Sequence, residues 1–114
     1  MTIENLLIDH DKTLIDALHQ LNQLLKKEDL SRAILFVTDA EGKVLGSITD
    51  GDIRRSLLEK KNLGETVIDI CNKNFIFARK TNEYHDLQKY REKDVKILPI
   101  IDSKQKLTTI LDLD

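Results

Sequence analysis

Residues 42–58 read GKVLGSITDGDIRRSLL. Val44, Leu45 and Ile48 are spaced as in a strand, whereas Ile53, Leu57 and Leu58 are spaced as on a helix. The change of period falls on Thr49-Asp50-Gly51-Asp52. A threonine followed three residues later by an acid is a capping signature, because the two side chains take up backbone N–H groups left open at a helix start. The same four residues also suit a nucleotide seat. A carboxylate can hold both hydroxyls of a ribose, and the amino end of a helix favours phosphate. Both readings stand at this point.

Upstream, Ala33 to Val37 is apolar at every position, as expected of a strand buried on both faces. Asp39-Ala40-Glu41-Gly42 turns the chain back into the strand Lys43 to Ile48. Leu14, Ala17, Leu18, Leu21, Leu24 and Leu25 recur at spacings of three and four, one stripe of an amphipathic helix with Asp11 or Thr13 as its cap. Residues 1–12 form a lead-in whose apolar patch, Leu6-Leu7-Ile8, is expected to be extended. Downstream, Thr66 can cap a short helical turn through Val67, Ile68 and Ile70, and Phe75-Ile76-Phe77 is extended. Thr81 to Tyr90 is a more polar helix with Tyr84, Leu87 and Tyr90 on its apolar face. Lys96 to Ile101 is a strand, Asp102 to Gln105 a turn, and Lys106 to Leu111 the returning strand. Pro99 has no N–H to give to a ladder, so its strand is expected at an edge or with that position turned from its neighbour.

The 114 residues make one domain's worth of chain, with 40% apolar and 33% charged residues. The apolar set is rich in Leu, Ile and Val, which argues against disorder. A net charge of −2 with no basic block argues against nucleic acid as a partner. The lone Cys71 cannot form an internal disulfide, and the amino terminus lacks a basic, apolar leader, so a cytoplasmic setting is expected. The longest apolar run, Ala33 to Val37, is too short to span a membrane, and no membrane partner is expected.

The order of elements repeats. Ile34-Leu35-Phe36-Val37-Thr38-Asp39 lies over Ile97-Leu98-Pro99-Ile100-Ile101-Asp102 at an offset of 63 (102 − 39), which also puts Lys43-Val44 on Lys106-Leu107 and Gly46 on Thr109. A repeated unit that cannot bury its own apolar face pairs with its twin. With its apolar strands closed by an acid (AILFVTD and ILPIID) and its ending Gly46-Ser47-Ile48-Thr49-Asp50-Gly51-Asp52, the chain resembles a tandem pair of cystathionine-β-synthase (CBS) domains. The resemblance covers nearly the whole chain. It implies an α/β (α+β) fold of two βαββα repeats about a pseudo-twofold axis, sheets facing. The lead-in is then residues 1–12, the first repeat 13–61, and the second 62–114, without its final helix.

The resemblance also implies a regulatory role, with an adenosine-type ligand held in a cleft between the repeats: AMP, ADP, ATP or S-adenosylmethionine, and no required cofactor. Carried over residue by residue, Asp52 takes the ribose hydroxyls and Thr49 contacts ribose or phosphate. Ser47, Arg32 and Ala33 flank base and phosphate, and Thr81, Val95 and Lys96 come from the second repeat. Arg54 and Arg55, one turn into the helix, are placed either to meet a phosphate or on a solvated face. The second cleft is expected to bind poorly, since Thr109 replaces the glycine, Asp112 replaces Thr49, and the ribose acid has no counterpart. The TDGDIRR segment resembles those of CBS pairs ahead of bacterial sugar-phosphate nucleotidyltransferase domains, which implies such a fused catalytic domain. The family implies a homodimer packed through CBS helices. The alternative is a purely structural dimerisation module that binds no ligand.

No catalytic constellation is found. Asp50 and Asp52 resemble a magnesium pair, but no P-loop or G-x-G-x-x-G accompanies them. His10 between Asp9 and Asp11 lacks further metal ligands, and His19 and His85 fall on polar helix faces. Cys71 has no histidine nearby in sequence and is expected in the core rather than as a nucleophile.

Overall fold

The computed structural model describes residues 2–27, 30–59, 61–79 and 87–114. A 3₁₀ turn, Ile3–Leu6, leads into β1 (Leu7–Asp9) and α1 (Leu14–Lys27). Then follow β2 (Leu35–Thr38), β3 (Val44–Ile48), α2 (Asp50–Leu58) and the single-turn α3 (Val67–Ile70). The second half holds β4 (Ala78–Arg79), α4 (Leu87–Glu92), β5 (Ile97–Ile101) and β6 (Leu107–Asp112). The strands form two sheets of three, β1-β2-β3 and β4-β5-β6, each with a parallel first pair and an antiparallel second pair. The fold is the expected pair of repeated α/β units. The Leu6-Leu7-Ile8 patch of the lead-in supplies β1, an edge of the first sheet.

The repeat is visible in atomic detail. Asp39 Oδ1 accepts from the N–H groups of Glu41 and Lys43, at 2.9 Å each. At the same offset, Asp102 Oδ1 accepts from Lys104 and Lys106, at 2.9 and 3.0 Å. Gly42 and Gln105 occupy the same place and have φ of 84° and 66°. The ladder slips between Val37 and Thr38 in one sheet and between Ile100 and Ile101 in the other.

The stripe of α1 folds as its spacing requires, with Leu14, Ala17, Leu21 and Leu24 buried. Thr13, rather than Asp11, starts it. The Thr13 N–H donates to Asp16 Oδ2 at 3.0 Å, and the Asp16 N–H donates back to Thr13 Oγ1 at 3.4 Å. The main core draws on both sheets: Leu35, Phe36, Val37 and Ile48 meet Ile97, Ile101, Leu107 and Ile110. Neither unit covers its sheet alone, which is why the chain carries two.

Of the two alternatives for the Pro99 strand, the second holds. β5 is the middle strand of its sheet, and among the described residues β4 pairs with Ile100 and Ile101 and leaves Pro99 without a partner on that side. One expectation changes. The strand expected at Phe75 to Phe77 forms one step later, at Ala78–Arg79, because Phe75 packs its ring on Phe36 instead. Of the helix expected from Thr81 to Tyr90, α4 gives the second half, with Tyr90 buried. Tyr84 and His85 lie outside the described residues.

Candidate functional site

The site grows from the junction of β3 and α2. Gly46 allows the chain after α3 to press on β3. A Cβ there would stand 2.6 Å from Cys71 Sγ and 2.9 Å from the Asn72 carbonyl oxygen. In that space Ser47 and Asn72 exchange backbone bonds, N–H to O at 3.0 and 2.8 Å. This holds residues 72–76 as one wall of a cavity of about 1000 Å³. Its apolar lining comes from Leu18, Leu21 and Leu25 of α1, with Phe36, Phe75 and Ile97. Phe75 is positioned by ring contacts with Phe36 (6.2 Å) and Phe77 (5.4 Å). The start of α2 contributes Thr49, Asp50 and Gly51, and the charged rim carries Arg32, Lys93, Asp94 and Lys96.

Six of the expected site residues therefore come together: Ser47, Thr49, Arg32, Ala33, Val95 and Lys96. They derive from both repeats, 60 or so residues apart in the chain, as a cleft between twins requires. Thr81 lies outside the described residues. Asp52 is not among the residues lining the cavity. It forms a complete capping box: Thr49 N–H and Oγ1–H donate to Asp52 Oδ2 at 2.9 and 3.1 Å, and Asp52 N–H donates to Thr49 Oγ1 at 3.3 Å. Its second oxygen pairs with Arg55. Arg54 likewise pairs with Asp50, and both arginines are exposed and are not themselves among the residues lining the cavity.

Asn72, Asn74, Phe75 and Ile76 were not expected at the site. The signal for them was Gly46 itself, since a glycine in a strand marks the close approach of another backbone. Which segment approaches depends on tertiary packing.

The rim is charged in pairs. Lys96 Nζ lies 2.9 Å from Asp94 Oδ1, and Arg32 Nη1 lies 3.3 Å from Asp114 Oδ2. The Lys96 hydrogen bond holds Asp94 below the ordinary aspartate range, and Asp94 in turn raises Lys96. Asp94 has φ of 60°, the left-handed region that aspartate tolerates better than most residues.

The counterpart of Thr49 in the second repeat behaves differently. Asp112 accepts from the N–H and the hydroxyl of Ser31 at 2.7 and 2.6 Å. Burial works to raise its pKa, but the hydrogen bonds from Ser31 outweigh this and hold it low. A smaller cavity of about 500 Å³ lies by β1 and the first turn, lined by Glu4, Asp9, Lys12, Asp16 and Asp39 among others.

Among the described residues, no group of three or more His, Cys, Asp or Glu side chains is arranged to hold a metal ion. His10 Nδ1 instead sits 3.2 Å from the Thr38 carbonyl oxygen. Cys71 is buried, and burial pushes its thiol pKa up, the opposite of an activated nucleophile. No described helix is long and apolar enough to cross a membrane.

Comparison with known proteins places this geometry. The CBS domain family matches residues 1–59. No curated protein matches the chain. Among solved structures, a CBS domain protein from Pyrobaculum aerophilum complexed with AMP is similar, with a TM-score of 0.72 at 16% identity, over 98% of this chain and 86% of that one. A CBS domain pair/ACT domain protein from Thermotoga maritima gives 0.68 at 21% identity, over 98% and 84%. The cytosolic domain of the Mg²⁺ channel MgtE in complex with ATP gives 0.77 at 20% identity; this chain is covered in full and spans 44% of that one. With more than half its residues matched by the family and its two sheets arranged as in these pairs, the chain belongs to the CBS domain family.

Proposed function

We propose that the chain is a regulatory module that binds an adenine nucleotide in the cavity between its repeats. The observation that carries this is the cavity itself. It is roomy, apolar on the α1 and Phe75 side, polar at the start of α2, and bordered by Arg32, Lys93 and Lys96. An apolar slot with a few convergent polar groups is the form of a small-molecule site. The similar structures named above include one complexed with AMP and one with ATP, which supports the same ligand class here. The base would lie against the apolar wall, the ribose by Thr49, and the phosphates towards Arg32 and Lys96. Asp52 would serve as ribose acceptor through the oxygen now paired with Arg55, which Arg55 would release, while the other keeps the cap.

A module of this kind acts on something it is joined to. The TDGDIRR segment supports a sugar-phosphate nucleotidyltransferase as that fused domain. Association through helices is supported by Leu57 and Leu58 of α2, 42% and 79% exposed. Those two residues equally favour the alternative, a module that only dimerises its parent.

Titration calorimetry with AMP, ADP, ATP and S-adenosylmethionine decides between them. One nucleotide site per chain is expected, since Asp112 of the second repeat is engaged with Ser31 of the first. Two equal sites would contradict the asymmetry, and no heat with any of the four would leave the dimerisation reading. Sedimentation at high micromolar concentration is expected to show a dimer.

A further inference from the structure

The rim of the cavity holds cations from both repeats, and two of them are already answered by acids. Arg32, just before β2, pairs with Asp114, and Lys96, just before β5, pairs with Asp94. The four also act on one another: Arg32 pulls on Asp94 and pushes on Lys96, while Asp114 stabilises the charge of Lys96. Asp94 and Asp114 are thus shared counter-ions of a small cationic patch. All four side chains are exposed enough to exchange partners without unpacking anything, with 39% exposure for Lys96 and 84% for Asp94. The backbone around them is held independently. The Leu113 N–H donates to the Lys96 carbonyl oxygen at 2.7 Å, and Asp112 holds Ser31.

We propose that Asp94 and Asp114 are stand-ins for the phosphates of the ligand: an anionic tail displaces them from Lys96 and Arg32, so the site discriminates by ligand charge. This rests on the nucleotide reading above and adds to it the basis of selectivity. A ligand with several phosphates gains both cations, whereas an uncharged one gains neither and leaves both pairs intact. The acids are exchangeable because the pairs are surface ion pairs, which contribute little and are screened by salt.

The test compares ATP with adenosine by calorimetry on the intact chain, its Asp94→Asn and Asp114→Asn variants, and the double variant. Asparagine keeps the shape and tolerates the left-handed position. Each single variant is expected to bind ATP about two- to fivefold more tightly, the range of an exposed ion pair removed as competitor. Adenosine affinity is expected to stay unchanged. Equal ATP affinity in all four proteins overturns the stand-in role while leaving nucleotide binding in place. An equal gain for adenosine also overturns it, since the substitutions would then only have opened the mouth. If the unaltered chain binds neither probe, the nucleotide reading falls and the stand-in role with it.

Discussion

At their turns the two repeats are near copies, and where β3 and β6 end they are not. Asp39 and Asp102 hold their turns through the same two backbone bonds. Past the second strand, Thr49 starts a helix and caps it with Asp52. At the same place, Asp112 reaches across to Ser31 of the first repeat and Asp114 to Arg32. Thr49 bonds its own helix start, whereas Asp112 accepts from the nearby Asp114 N–H and also from Ser31 across the repeats. The turn is a local structure set by a few bonds, so it survives duplication. The strand end makes the cleft, and a change of one side chain there turns an open site into a latch.

The largest expected effect breaks this comparison at Asp52. Asp52→Ala removes the proposed ribose acceptor, and its charge-assisted bonds are worth roughly 1.5–3 kcal/mol each. Affinity for the bound nucleotide should fall on the order of a hundredfold. The lost cap alone should cost about 1 kcal/mol of stability. Asp112→Ala should leave that affinity within a few fold. Calorimetry and thermal melts on both variants check this. Lowered stability with unchanged affinity would leave Asp52 as a cap only.

Next comes Gly46. Gly46→Ala puts a Cβ into Cys71 Sγ and the Asn72 backbone and should cost about 1–3 kcal/mol in denaturant unfolding. The counterpart, Thr109, is exposed in β6. Thr109→Gly should cost only about 0.5–1 kcal/mol, the loss expected of glycine in a strand. Equal costs would show that the two strand ends are packed alike after all.

The turns should respond with opposite signs. Gly42→Ala forces a side chain onto a φ of 84° and should lose about 1 kcal/mol. Gln105→Gly relieves the same conformation and should gain less than about 1 kcal/mol, because the Gln105 Oε1 bond from Arg79 goes with it. Melting temperatures of the two variants are the measurement.

The smallest effect is on acid stability. Backbone bonds from Lys43 and Lys106 hold the Asp39 and Asp102 carboxyls below the ordinary aspartate value of 3.8. A depressed folded pKa contributes stability that is present above the unfolded value and is lost as pH falls through the folded one. Melting temperature should therefore be insensitive to these groups near neutrality and begin to drop below about pH 4. In the double variant Asp39→Asn, Asp102→Asn that drop should be shallower. If only one of the two single variants matters, the turns are less alike than their geometry.

Taken alone, the sequence determined the two repeated units and their register, because strand, turn and strand are local and the offset of 63 brings Asp39 onto Asp102. It also determined the stripe of α1 by its spacing, and the family resemblance carried by its motifs pointed to six of the residues that gather round the cavity. The tertiary structure alone decided the rest. It made the chain after α3 a cavity wall through Gly46 and put β5 in the middle of its sheet despite Pro99. It also joined Asp112 to Ser31, 81 positions away. Each of these depends on which distant segment fills the space beside a residue, and that is set by how two half-covered sheets close on each other, which no local pattern of residues contains.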